Sequence, residues 1–241
     1  MKIKEKLFLD RVGLEKYGPI NIAIFGDSIS HGAVDGYNDY ENVYWNVLKK
    51  KLNAFRDYMP VNMINVSVGG AMASTALGRL ESQALSHSPD LVIVCFGLND
   101  VNEALGVYLD ALKEIFEKSL AAGCEVVFMT PNMLNTRVAD DTHPELRQYA
   151  AITADYQNSG KMDTYIYSAI ELAERMGVCV CDCYSKWKEL AKTQDVTVLL
   201  ANRINHPTQE MHNLFADSLF ELLIGEETGN KKSDSTMYNG K

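Results

Sequence analysis

The stretch Ile20-Asn21-Ile22-Ala23-Ile24-Phe25-Gly26-Asp27-Ser28-Ile29-Ser30 decides the fold. Its first six residues are an apolar run of strand length, and Gly26-Asp27-Ser28 then turns the chain toward a helix. That places a serine at the carboxyl end of a buried strand. Open α/β sheets build their sites at that end, and the helix start beyond it offers free N–H groups to an anion. The same turn also reads as a plain helix start with Asp27 or Ser28 as N-cap. The pentapeptide alone leaves both readings open.

Outward from this run, β-like and helix-like segments alternate. Strands are predicted at 20–25, 61–66, 90–96, 125–130 and 177–182, each rich in Val, Ile, Met or Phe. Between them run stripes of helical spacing. Val43, Val47, Leu48, Leu52 and Phe55 form one; Leu105, Leu109, Leu112, Phe116 and Leu120 form another, which Gly123 closes. Such alternation predicts right-handed βαβ units, hence an α/β protein with a parallel sheet covered on both faces. A long departure at 131–163 follows the fourth strand. It reads as a binding loop or lid near Ser28, or, over 144–158, as a surface helix.

Three further blocks end at the same sheet edge or beside it: Asn65-Val66-Ser67-Val68-Gly69-Gly70, Phe96-Gly97-Leu98-Asn99-Asp100 and Asn205-His206-Pro207. In this order they resemble the four blocks of the SGNH hydrolases, the GDSL esterase/lipase family. The resemblance spans nearly the whole chain. It implies a three-layer α/β/α fold with a flavodoxin-like parallel five-stranded sheet. It also implies Ser28 as nucleophile and an oxyanion hole made by the N–H groups of Ser28 and Gly70 and the side-chain amide of Asn99. Taken singly, Gly69-Gly70 could be only a turn and Asn99 only a helix cap. Asp27 and Asp100 read as structural, bonding nearby backbone. The order Gly-x-Ser-x-Ser so near the N-terminus disfavours the α/β-hydrolase nucleophile elbow.

A serine hydroxyl needs a base, and neutral imidazole suits that task near pH 7. His206 is the candidate, in a loop before a helix predicted at 208–224. His31 is the main rival, while His87, His143 and His212 have no motif around them. The family's last block normally carries an aspartate three residues before its histidine, where this chain has Arg203. Arginine cannot accept a hydrogen bond. The third triad member is therefore unknown: Asn202, Asn205, Asp195 or a backbone carbonyl could hold the ring, or Ser28 and His206 work as a dyad. Weak catalysis or none is a corollary.

Composition narrows the partners. Lys and Arg number 23 against 32 Asp and Glu, a formal net charge of −9, which disfavours nucleic acid and anionic membrane surfaces. No run reaches the roughly 20 apolar residues of a membrane span. Asp10 and Arg11 interrupt the first apolar stretch well short of a signal peptide. The expectation is a cytoplasmic protein with one domain over 1–225 and a mobile tail over 226–241. Cys179, Cys181 and Cys183 are predicted to share one strand face as packed, reduced thiols rather than a metal site. The oligomeric state is left open.

The function implied is a serine esterase that cleaves O-acyl esters, including acetyl groups on carbohydrate, through an acyl-enzyme and without cofactor or metal. Tyr37, Tyr40, Tyr44 and Trp45 follow the nucleophile and could stack on a sugar, although Tyr44 and Trp45 read equally well as packing residues. The alternatives are a lysophospholipase or thioesterase for longer chains, and a degenerate binding module without turnover.

Overall fold

A computed structural model describes residues 2–225; the tail expected over 226–241 lies outside the described residues. Five strands form one all-parallel sheet: β1 (Ile20–Gly26), β2 (Val61–Asn65), β3 (Leu91–Cys95), β4 (Glu125–Met129) and β5 (Cys179–Cys181), in the order β2-β1-β3-β4-β5. The helices are α1 (Ile3–Leu7), α2 (Arg11–Tyr17), α3 (Ser28–His31), α4 (Tyr44–Phe55), α5 (Ala73–Ala76), α6 (Leu105–Ala121), α7 (Arg147–Asn158), α8 (Lys161–Arg175), α9 (Cys183–Leu190) and α10 (His212–Ile224). This is the three-layer α/β arrangement that the alternation predicts.

Burial explains why the central strands are apolar without a break. β3, Leu91-Val92-Ile93-Val94-Cys95, pairs with β1 through Ile22↔Leu91 to Gly26↔Cys95 and is fully buried along its length. A strand covered on both faces has no polar side to show. Each such Val, Ile or Leu contributes about 1.5–3 kcal/mol by leaving water. The step from β1 to β2 runs opposite to the steps β3 to β4 and β4 to β5. With right-handed crossovers, α4 therefore lies on one face and α6 and α8 on the other. In keeping with this, α10 packs on α4 and α6 packs on α8.

The reversal of direction falls between β1 and β3, and a crevice opens at the carboxyl ends of strands at such a switch point. Gly26 shows how tight that point is. A Cβ there would stand 2.5 Å from Ser30 Oγ and 2.8 Å from the Cys95 carbonyl oxygen. Only glycine lets β1 end this close to β3.

One expectation needs correction. The three cysteines are not one packed strand face: β5 ends at Cys181, so Cys183 already starts α9, where its Sγ lies 3.8 Å from that of Cys181, and Cys179 is exposed. Among the described residues no group of three His, Cys, Asp or Glu side chains is placed to hold a metal ion. The departure at 131–163 begins as an irregular loop over 131–143; Pro144–Leu146 then make one 3₁₀ turn, and α7 is a surface helix that buries Ala150, Thr153, Ala154 and Gln157 and leaves Arg147 exposed. Among the described residues, no helix is long and apolar enough to cross a membrane.

Candidate active site

Ser28 is the first residue of α3, directly after β1, and is 7% exposed. The Asp27 side chain caps that helix by accepting the Ile29 N–H at 3.0 Å. Hence the aspartate is the N-cap and the serine is left free for other partners. Ser28 Oγ lies 3.0 Å from His206 Nε2. The other ring nitrogen, Nδ1, lies 2.9 Å from the main-chain oxygen of Val34. A carbonyl oxygen only accepts, so Nδ1 carries the proton and Nε2 offers its lone pair to the serine hydroxyl. That is the tautomer a general base requires.

Val34 is buried, and its carbonyl is aimed by the loop that leaves α3. Gly32 ends the helix with its N–H on the Ile29 carbonyl, Ala33 and Asn38 form an isolated antiparallel bridge, and the Val34 N–H bonds the Tyr37 carbonyl at 2.9 Å. The histidine is aimed from the other side by Asn202. Its Oδ1 accepts the N–H groups of Ile204, Asn205 and His206, each at 3.0 Å, and its Nδ2 donates to Asn205 Oδ1 at 2.9 Å. The first residues after β4 add a second support. Asn132 Nδ2 donates to the Asn205 carbonyl at 2.9 Å and the Asn135 N–H to the Ile204 carbonyl at 2.9 Å.

Arg203, in the position where the family has its acid, faces away from the imidazole. Its Nε and Nη2 lie 2.9 Å from Asp141 Oδ2, and Nη1 donates to the carbonyls of Leu200 at 2.9 Å and Val198 at 3.2 Å. Its φ of +60° is a left-handed conformation that non-glycine residues seldom adopt. Asp195 is occupied elsewhere, paired with Arg137 at 2.7 Å and capping the 3₁₀ turn at Val196–Leu199. Of the acceptors considered from sequence, the backbone carbonyl holds the ring, and Asn202 shapes the loop.

The residues expected to form the oxyanion hole, besides Ser28, lie on the loops after β2 and β3. Gly70 has φ +75°, and the space a Cβ would fill is open; Gly69 lies against Ser28, with an ideal Cβ 4.0 Å from the serine Cβ. Asn99 Nδ2 donates to the Ala71 carbonyl at 3.1 Å and stands 3.5 Å from Asp27 Oδ2. One of its two hydrogens is thus committed, and the other faces the nucleophile turn at long range. Asp100 joins the two loops, accepting the Ala73 N–H at 2.7 Å and the Gly97 N–H at 2.8 Å. As expected, both aspartates bond nearby backbone.

Burial sets the electrostatics. It pushes His206 below its ordinary value, while the bond to Val34 and the carboxylate of Asp35 pull the other way. Asp27 and Asp100 are each raised to about 7 by desolvation; their backbone hydrogen bonds oppose the rise, and the neighbouring Asp100 charge adds to it at Asp27. Two of the other histidines have partners of their own. His31 bonds the Ser67 carbonyl and Tyr40 Oη through its two nitrogens. His212 is 2% exposed, accepts the Tyr44 N–H and is lowered to about 4 by burial. Tyr44 is fully buried with its hydroxyl 2.8 Å from Ser30 Oγ, so it cannot stack on a ligand; Tyr37 and Tyr40 stand exposed beside the site.

Comparison with known proteins agrees with this fold. The acetylxylan esterase Axe2 from Geobacillus stearothermophilus superposes with a TM-score of 0.66 at 18% identity, over 85% of this chain and 94% of that one. LAE5, an alpha/beta hydrolase enzyme from the metagenome of Lake Arreo, Spain, gives a TM-score of 0.66 at 20% identity, over 87% of this chain and 97% of its own. No curated protein matches the chain by sequence. The profile of the GDSL-like lipase/acylhydrolase family matches residues 24–214, most of the chain, and the protein belongs to that family of ester hydrolases.

Proposed function

We propose that this chain hydrolyses O-acyl esters of short acyl groups, acetyl on carbohydrate foremost, with Ser28 and His206 as a dyad that forms an acyl-enzyme. The observation that carries this reading is the pair of contacts on one imidazole, Ser28 Oγ at 3.0 Å from Nε2 and the Val34 oxygen at 2.9 Å from Nδ1.

Ser28 Oγ attacks the acyl carbon as its proton passes to Nε2. The imidazolium so formed keeps its Nδ1–H on the Val34 carbonyl. The negative charge that develops on the acyl oxygen is met by the N–H groups of Ser28 and Gly70 and by Asn99 Nδ2, whose second hydrogen leaves its long 3.5 Å contact with Asp27 to do so. Collapse breaks the bond to the alcohol, and Nε2–H protonates the departing oxygen. Water, deprotonated by the same nitrogen, then releases the acid. A neutral carbonyl stabilises the imidazolium less than a carboxylate does, so a modest turnover is expected.

The acetylxylan esterase among the structural neighbours supports a small acyl group on a sugar. A serine and histidine assembled at hydrogen-bond distance support turnover over the reading of a binding module. The test is p-nitrophenyl acetate and its longer homologues with wild type and Ser28→Ala, together with a fluorophosphonate probe. Cleavage that falls with chain length, lost in the variant together with the label, is expected. Undiminished cleavage in Ser28→Ala, or labelling at another residue, overturns the assignment; cleavage that rises with chain length favours the lysophospholipase or thioesterase.

A further inference from the structure

The leaving oxygen must come within hydrogen-bond reach of His206 Nε2 to receive its proton, so the alcohol half of the substrate lies on the His206 side of Ser28. A cavity of about 230 Å³ opens there, lined by Ala33, Val34, Gly36, Tyr37, Asn38 and His206. Resting on the hydrolase reading above, we propose that this cavity is the alcohol subsite, and that it selects uncharged polyol rings over anionic alcohols, with Tyr37 as the stacking face and Asp35 as the charge filter.

Three observations support it. Tyr37 is 55% exposed, yet its hydroxyl stands 3.4 Å from Gln209 Nε2, so the ring offers an apolar face held at its polar tip. Sugar rings present C–H groups to such faces and hydroxyls to amides, which Asn38 supplies on the same wall. The chain segment that supplies most of the cavity's lining carries acids and no basic residue. From Gly32 to Leu48 the chain carries Asp35, Asp39 and Glu41 and no lysine or arginine. Glu41 is neutralised by Lys50, whereas Asp39 is held ionised by bonds from Asn42, Glu41 N–H and Gln209, and Asp35 is exposed next to the Val34 carbonyl. Arg203, the basic group of the His206 loop, is turned away onto Asp141. A carboxylate or phosphate on the alcohol would approach these acids, and among the described residues lining the cavity no lysine or arginine answers it. Esters of lysophospholipid or coenzyme A type are disfavoured on that ground.

The probes are a methyl glucoside acetylated at one ring hydroxyl and the matching methyl glucosiduronate, which keep their other ring hydroxyls free and differ by a carboxylate in place of the C6 hydroxymethyl group. Binding is measured by calorimetry to full-length Ser28→Ala, which needs no turnover. The neutral ring should bind about tenfold tighter, a ratio that unit charges about 12 Å apart near a surface produce. Adding Asp35→Asn should narrow the ratio to about threefold or less, as should 0.5 M salt, by screening. Tyr37→Ala should weaken both ligands about tenfold, and Tyr37→Phe should restore them, because stacking survives without the hydroxyl. Equal binding of the two ligands, or a ratio indifferent to Asp35→Asn and to salt, overturns the proposal. Hydrolysis of p-nitrophenyl acetate by wild type reports separately on the hydrolase reading: its absence with the binding preference intact removes the chemistry and leaves the subsite.

Discussion

His206 Nδ1 and the main-chain oxygen of Val34 are 2.9 Å apart, so the group that orients the base comes from the loop that carries the nucleophile. In the sequence pattern of the family, acid and base belong to the same last block. Here that block supplies the base, and the acceptor follows Ser28 by six residues.

This arrangement predicts that Arg203→Asp will not repair a triad. Position 203 sits at φ +60°, with its side chain directed at Asp141 and at the carbonyls of Val198 and Leu200, and Nδ1 is already bonded. The variant should lose those bonds, lowering stability by about 1–2 kcal/mol without raising kcat/KM. A tenfold gain in kcat/KM for p-nitrophenyl acetate would show that the carboxylate reaches the ring after all.

Asn202 gathers three backbone N–H groups on one oxygen, and Asn202→Ala should leave them without an acceptor. The expected cost is about 2 kcal/mol of stability, with kcat falling more than KM rises because the base is misplaced. Asn202→Asp keeps the acceptor and should recover most of both. Thermal unfolding and steady-state kinetics of the two variants check this; an alanine variant with wild-type kcat would remove Asn202 from the positioning role.

Asn99→Ala should reduce kcat by about 10²–10³ with little effect on KM, as when one donor to a developing oxyanion is removed. Its Nδ2 already spends one hydrogen on the Ala71 carbonyl, so some of the loss will come from a looser Gly69-Gly70 loop. An effect confined to KM would mean that Asn99 binds the ground state.

The acid limb of kcat/KM should lie below the free imidazole value of about 6.5, because burial disfavours the charged ring. The carboxylate of Asp35 opposes that shift, so Asp35→Asn should move the limb lower still. A pH–rate profile of both proteins decides it, and a limb at or above 7 in wild type contradicts the account.

Asp27 titrates near 7 when folded against 3.8 when free, and its stability contribution follows. A raised carboxyl favours the folded state fully below about 3.8, where both states are protonated, and the benefit is lost as pH climbs to about 7. The change is bounded at about 4 kcal/mol. Melting temperature should therefore fall between pH 5 and pH 8 more steeply in wild type than in Asp27→Asn. Parallel curves for the two proteins would place the ionisation elsewhere.

Much of this was legible in the sequence because it depends on side chains. The five strands read as apolar runs, since a sheet covered on both faces tolerates little else, and Ser28, Asn99 and His206 stand at the carboxyl edge in their expected blocks. Val34 gave no such signal. Every residue has a carbonyl, and what makes this one an acceptor is the course of the loop around Gly32 and Gly36. The cysteines misled because β5 is only three residues long: period-two spacing promises one face only while the strand lasts. For Tyr44 the sequence left platform and packing side by side, and burial decides for packing, with its hydroxyl satisfied indoors by Ser30.

A main-chain acceptor also changes what mutation can do to the enzyme. An aspartate is one codon change away from loss, but no substitution at position 34 deletes its carbonyl oxygen. A saturation library of this chain would accordingly find no indispensable acid near its histidine. Single-residue insertions or deletions between Ala33 and Asn38 would be the inactivating changes, since they alter where the peptide unit points while leaving the chemistry of every side chain intact. The vulnerability of this site is one of chain length rather than of residue identity.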